Sequence, residues 1–270
     1  MPRIPSPPPP RLPRLPPLSL APLRSRDSVA LDREPSGEVA PFVRWDRFIS
    51  HFHATWTQGT HVTSIGPTGS GKTVLNRELL RRRWFVIVLG VKNQDPELYG
   101  PFQKMGYQLV HKFEPLPPSE DQPHRILFVP TAAGYHGAEA RKRKGAAFKA
   151  VLNDVYDVGG WTVYADDVQY QSDKLGLRTE FEELLMIGRS EKVSIVGSSQ
   201  EPVDIPVMFY SAATHLFLFK NPDRYRARRM AELTGVNRDE AERIILSLPP
   251  HEFLYINKLT GRMSRSRVLV

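Results

Sequence analysis

"GPTGSGKT", residues 66–73, fills the gap between an apolar run, "HVTSI" (61–65), and a segment of helical character, "VLNRELLRRR" (74–83). The octet satisfies G-x-x-x-x-G-K-[ST] at every fixed position, through Gly66, Gly71, Lys72 and Thr73. Glycines 66, 69 and 71 allow backbone conformations that a Cβ forbids, so successive N–H groups can turn inward around an anion. The helix that follows offers its N-terminus, where unpaired N–H groups and the dipole favour negative charge. In such a loop the lysine reaches the β- and γ-phosphates and the following hydroxyl ligates Mg²⁺. The expected phosphate cradle is therefore Gly66, Pro67, Thr68, Gly69, Ser70, Gly71, Lys72, Thr73 and Val74, with ATP and Mg²⁺ as ligands.

Outward from this loop, short apolar runs alternate with helical patterns. Strands are expected at 61–66, 84–90, 107–110, 125–130, 161–166, 193–198 and 214–220. Several are apolar almost throughout, as strands buried on both faces are. A helix is expected over 137–157, where Phe148, Val151, Leu152 and Val155 share one face and Gly159 follows as a stop. Thr179 and Glu182 have capping-box spacing ahead of a helix closing at Gly188. Asn221 with Pro222, and Asn237 with Glu240, read as two further helix starts, the first of them stopping at Gly235. A hairpin turning at Thr260–Gly261 closes the chain. Strand and helix in alternation imply an α/β domain over 43–270, with a mainly parallel sheet flanked by helices.

Residues 1–42 differ in composition, holding twelve of the 25 prolines with arginines interspersed. Proline removes backbone donors and fixes φ, so this arm reads as disordered or polyproline, a solvated tail or a docking element for a protein partner. The full chain has 270 residues, 40% of them hydrophobic, enough for a proper core. No apolar run reaches the ~18 residues of a membrane span, and the N-terminus lacks the apolar core of a secretory signal. The absence of cysteine excludes disulfides and thiolate metal sites and fits a reducing compartment. A net charge of +8 favours polyanionic partners.

Hydrolysis needs more than a phosphate loop: a carboxylate to hold the metal's water shell and a base to position attacking water. "WTVYADD" (161–167) ends an apolar strand in two acids. Asp166 is expected to support Mg²⁺ and Asp167 to orient water, the bland alternative being two solvated loop aspartates. ATPases of this layout more often carry Glu at the second position, and Asp167 is one methylene shorter. Gln200, directly after the 193–198 strand, would lie beside the γ-phosphate if that strand neighbours the phosphate-loop strand; otherwise it is a turn residue.

The phosphate loop, the strand ending in two acids, "GRS" (188–190), "VSIVGSSQEPVDIP" (193–206) and "ATHLFLFKNPDRYRARRMAELTG" (213–235) together resemble the FtsK–HerA superfamily of DNA-pumping ATPases. The likeness covers roughly residues 58–236 and is strongest to compact phage-type and conjugation-type members. It implies a RecA-like, additional-strand P-loop fold and a ring, usually a hexamer. It also implies movement or packaging of double-stranded DNA through the ring in a bacterial or phage-infected cytoplasm. By matching position, Arg189 would act across a subunit boundary on the γ-phosphate, as an arginine finger stabilising transition-state charge. Arg224, Arg226, Arg228 and Arg229 compete for that role. Basic clusters at 81–83, 141–144, 224–229 and 261–267 are candidate contacts to the DNA backbone, with "RKRKGAAFK" (141–149) preferred for the pore. Residues 237–270 are expected to form only about one helix and a hairpin, so no metal nuclease is expected within them. Two other readings stand beside the motor: a nucleotide switch that assembles or anchors a partner without pumping DNA, and a small-molecule kinase, which the acid-pair strand and "SSQEP" disfavour.

Overall fold

A computed structural model describes residues 39–119, 121–203 and 205–269. Nearly all of the proline-rich arm therefore lies outside the described residues. In chain order the elements are α1 (Trp45–Thr55), β1 (His61–Ile65), α2 (Lys72–Leu80), β2 (Phe85–Leu89), α3 (Pro96–Lys104) and β3 (Gln108–Val110). There follow β4 (His124–Phe128), α4 (Gly137–Val158), β5 (Thr162–Ala165), α5 (Val168–Lys174), α6 (Arg178–Met186) and β6 (Ser194–Ser199). The chain continues with α7 (Met208–Ser211), β7 (Ala213–Phe219), α8 (Arg224–Glu232), α9 (Arg238–Ser247), β8 (Glu252–Asn257) and β9 (Arg262–Arg267).

The strands form one sheet in the order β3-β4-β2-β5-β6-β1-β7-β8-β9. The first seven strands pair parallel, and the β8–β9 hairpin adds two antiparallel strands at one edge. This is the mainly parallel α/β architecture expected. Between the phosphate-loop strand β1 and the acid-bearing strand β5 lies one additional strand, β6, in register with both (Val62 opposite Val196, Tyr164 opposite Val196).

Both faces of the sheet are covered, which explains why its strands are apolar almost throughout. On one face Ile87, Val163, Ile195, Leu216 and Leu254 join Phe148 of α4, Phe181 of α6, Met230 of α8 and Ile245 of α9. The other face packs on α1, α2 and α3. There Phe48 and Phe52 meet Phe217 of β7 edge-to-face, and Phe102 tilts against Tyr164. Burying each such ring contributes roughly 1.5–3 kcal/mol. Residues 40–43 run along β9: Val43 N–H donates to the Arg265 carbonyl (2.8 Å) and Arg265 N–H to the Pro41 carbonyl (2.9 Å). That pairing shields an otherwise open sheet edge.

Two expected helix starts are displaced. Helix α6 begins at Arg178 with Leu177 as its cap, so Thr179 lies inside the first turn and makes no capping bond. Leu177 is fully buried, and its carbonyl accepts from Phe181 N–H at 3.0 Å, so packing sets this boundary. Ahead of α8, the side chain of buried Asn221 accepts from Asp223 N–H (3.1 Å), and Asp223 is the cap, accepting from Arg226 N–H (3.1 Å). Asn221 thus shapes the turn before the helix. Asn237 caps α9 as expected, accepting from Glu240 N–H at 3.2 Å.

Candidate active site

The site is built at the C-terminal ends of β1, β5 and β6, where an open parallel sheet leaves a crevice. After Ile65 the chain turns away at Gly66, whose N–H donates to the Ser199 carbonyl of β6 (3.2 Å). A Cβ at Gly66 would stand 2.5 Å from the Phe219 Cβ, so the loop can leave the sheet only with glycine here. Gly69 and Gly71 both adopt positive φ, and Gly71 caps α2. Helix α2 then starts at Lys72, with Thr73 in its first turn.

The loop, the acids and the polar residues after β6 converge on one cavity of about 100 Å³. Thr68, Gly69, Lys72, Thr73, Asp166, Asp167, Ser198, Ser199 and Gln200 line it. Lys72 is buried and folds back, donating to the carbonyls of Gly66 (2.6 Å) and Pro67 (2.9 Å). Burial lowers its pKa to about 8, against the opposing pull of Asp166 and Asp167. An ammonium held by two loop carbonyls can exchange them for phosphate oxygens.

Asp166 Oδ1 accepts from the hydroxyls of Tyr164 (3.1 Å) and Ser198, and its backbone carbonyl accepts from Gln171 Nε2 (2.7 Å). Asp167 sits at φ 56° and caps α5, with Oδ1 accepting from Tyr170 N–H at 3.2 Å. Gln200 Oε1 accepts from the Thr68 hydroxyl (2.8 Å), spanning the mouth of the phosphate loop. The condition set for Gln200 is met, since β6 lies directly beside β1. Thr73 and Asp166 offer hard oxygen donors on one cavity wall, the donor chemistry that suits Mg²⁺.

Arg189 is not part of this cluster. It is exposed and sits near His61, at the start of β1, at the opposite end of the sheet. The four arginines of α8 are paired within the chain: Arg224 with Glu242 (3.2 Å), Arg226 with Glu201 (3.0 Å), Arg228 and Arg229 with Glu232 (3.5 and 3.6 Å). Of the "RKRK" run, Lys144 donates to the Val91 carbonyl and Asn93 Oδ1 (2.7 Å each), and Arg143 bonds Glu139 and covers the Tyr135 ring. Arg141 and Lys142 are exposed at the phosphate-loop end of the sheet, without an ion pair among the described residues. Arg83 is structural, stacking over Trp56 and donating to its carbonyl. A larger cavity of about 250 Å³ lies between α4 and α6, but Asp157, Glu180 and Glu183 on its wall would repel a nucleotide.

Sequence reasoning passed over Ser198, Ser199, Tyr164 and Asn76. Serines 198 and 199 follow an apolar stretch in a strand that is buried throughout, and a polar pair there marks a strand end facing a site. No comparable signal marks Tyr164 or Asn76.

No family model matches the chain, and no curated protein matches it. Among solved structures, B204, the DNA-packaging ATPase from Sulfolobus turreted icosahedral virus, is similar with TM-score 0.55 and 14% identity, over 80% of this chain and 100% of that one. The genome packaging NTPase B204 from Sulfolobus turreted icosahedral virus 2, in complex with ATP-gammaS, gives 0.54 and 14% over the same shares, 80% and 100%. VirB4 of Thermoanaerobacter pseudethanolicus gives 0.55 and 10% identity over 78% of this chain and 89% of that one. At such identities the likeness is one of fold. The chain shares the P-loop NTPase fold of these ATPases, a mostly parallel sheet flanked by helices, which is the fold its sequence resemblance implied.

Proposed function

We propose that the chain is a motor ATPase that couples ATP hydrolysis to movement or packaging of double-stranded DNA, working as a hexameric ring. The observation that carries this reading is the shared cavity: Lys72 and Thr73 after β1, Asp166 and Asp167 after β5, and Gln200 after β6 meet around one small space. The fold in which they meet is that of viral packaging ATPases. Lys72 neutralises charge on the β- and γ-phosphates, while the loop N–H groups and the α2 N-terminus hold the phosphates in line. Mg²⁺, held by Thr73 and Asp166, would supply further charge neutralisation on the transferred group. Asp167 orients the attacking water, and Gln200 releases Thr68 to meet the γ-phosphate. Arg189 acts on a neighbouring subunit's nucleotide. Arg141 and Lys142 contact the DNA backbone, which gives sequence-independent affinity.

One observation favours a second reading, a nucleotide switch without turnover. Asp167 Oδ1 caps α5, which ties the carboxylate to that helix and restricts its freedom to swing toward an attacking water. The experiment that separates the two is an ATPase assay with and without duplex DNA. The motor reading expects phosphate release that rises on adding DNA and disappears in Lys72→Ala. Turnover indifferent to every nucleic acid refutes the DNA assignment, and binding without phosphate release selects the switch.

A further inference from the structure

Beneath the phosphate loop lies a chain of buried polar side chains that links three strands to the helix bearing Lys72. Tyr164 on β5 precedes Asp166, the first residue past the strand end, by two positions, and the two side chains meet on one side of the sheet. That face is covered by α2, where Asn76 lies one turn after Lys72. Asn76, Ser64, Tyr164 and Ser198 are all essentially inaccessible to solvent. Asn76 Nδ2 donates to the Ser64 hydroxyl of β1 (2.8 Å), and Ser64 in turn faces the Gly197 carbonyl of β6 (3.5 Å). The Asn76 amide and the Ser198 hydroxyl lie near the buried Tyr164 hydroxyl. Tyr164 donates to Asp166 Oδ1 at 3.1 Å, and Ser198 donates to the same oxygen.

A buried hydroxyl is costly without a partner. Here the hydroxyl is spent on the site carboxylate. Hydroxyl bonds to an ionised carboxylate are charge-assisted and directional, so two of them fix the rotation of the Asp166 side chain. They engage Oδ1 only; Oδ2 accepts no hydrogen bond among the described residues. One oxygen is anchored and the other is presented to the cavity.

We propose that Tyr164 and Asn76 are positioning residues that hold the Asp166 carboxylate in register with the phosphate-loop helix, leaving Oδ2 for the water shell of a divalent cation. The proposal rests on the reading of Asp166 as the metal-supporting acid. Partners of this kind, one bond behind a ligand, commonly tune metal affinity by about 10- to 100-fold. Asn76 belongs to the same buried cluster, because it lies beside Tyr164 on the helix that carries Thr73 and donates to Ser64 of β1.

The test measures binding of a fluorescent ATP analogue by anisotropy, first in EDTA and then in Mg²⁺, and compares the gain that Mg²⁺ gives. Tyr164→Phe should bind within about twofold of the unaltered protein in EDTA and lose about tenfold of the Mg²⁺ gain. Ser198→Ala removes the second donor from β6 and should move in the same direction, so the question stays answerable if Tyr164→Phe does not fold. Tyr164→Phe combined with Asn76→Ala should lose no more of the gain than the two single losses multiplied, and less if they act as one unit. Asp166→Asn should abolish the gain. If Asp166→Asn keeps it, the metal reading itself is wrong. If Asp166→Asn loses it while Tyr164→Phe and Ser198→Ala keep it, or lose affinity equally in EDTA and Mg²⁺, the positioning role is refuted.

Discussion

Gly71 and Gly69 both sit at positive φ, 104° and 76°, yet a side chain would meet different surroundings at each. A Cβ on Gly69 meets nothing within 4 Å, whereas one on Gly71 would stand 2.7 Å from Val268 Cγ2. Val268 is buried and β-branched, so it cannot rotate aside cheaply. Gly69→Ala should therefore cost only the left-handed strain of about 1–2 kcal/mol, while Gly71→Ala adds about 1–3 kcal/mol of overpacking. Because Gly71 caps α2, the second change should also weaken nucleotide binding by more than tenfold, by tilting the N–H groups that face the phosphates. Urea midpoints and nucleotide titrations of the two variants check this; equal losses would mean that the contact with the C-terminal strand is irrelevant. The motif alone states that glycine is required at Gly71. That a residue nearly 200 positions later enforces it follows only from β9 ending beside the loop.

At the scale of elements, caps separate what local sequence decides from what packing decides. Asp223→Ala and Asn237→Ala each remove an observed capping bond and should each cost about 1 kcal/mol in chemical denaturation. Thr179→Ala should cost less than about 0.5 kcal/mol, since Thr179 caps nothing. A full capping cost at Thr179 would show that α6 starts later than Arg178. The parallel strands are legible in the sequence because burial on two faces writes an unbroken apolar run. Helix α4 is legible for the opposite reason, a single apolar stripe carrying Phe148, Val151 and Val155. Short helices are harder: α3 contains Gly100 and Pro101, poor helix residues, and is held by burial of Leu98, Tyr99 and Phe102. In the site, Lys72, Thr73, Asp166 and Gln200 are readable because their chemistry is local to a loop or strand end. Tyr164 and Asn76 are not, because their role exists only once β5, β6 and β1 are laid side by side under α2.

Across the whole molecule, the two ends of the sheet carry different chemistry. The phosphate-loop end holds the carboxylates and Lys72, while the far end holds Arg189 together with buried histidines. If Arg189 serves a neighbour, Arg189→Ala subunits mixed with Asp167→Asn subunits should recover part of the ATPase activity that each lacks alone. No recovery at any ratio would confine Arg189 to a local role. The histidines make the far end sensitive to acid. Burial lowers His53, His61 and His215 to about 4 from an ordinary value of 6.5, with smaller contributions from Arg82 and Arg83 at His53, Arg189 at His61 and Arg83 at His215. His53 donates from Nε2 to the Glu78 carbonyl, His61 Nδ1 accepts from Ile195 N–H, and His215 pairs with the Tyr255 hydroxyl. Between the folded and unfolded values the unfolded chain binds more protons, so folding stability is complete above about pH 6.5 and declines as pH falls toward about 4. Each histidine should contribute about 1–2 kcal/mol of loss by roughly pH 5. Urea midpoints taken from about pH 7.5 down to about pH 5 should show the decline. His53→Gln, whose amide can still donate to Glu78, should remove about a third of it. If replacing all three histidines leaves the decline unchanged, acid acts through the carboxylates at the other end of the sheet instead.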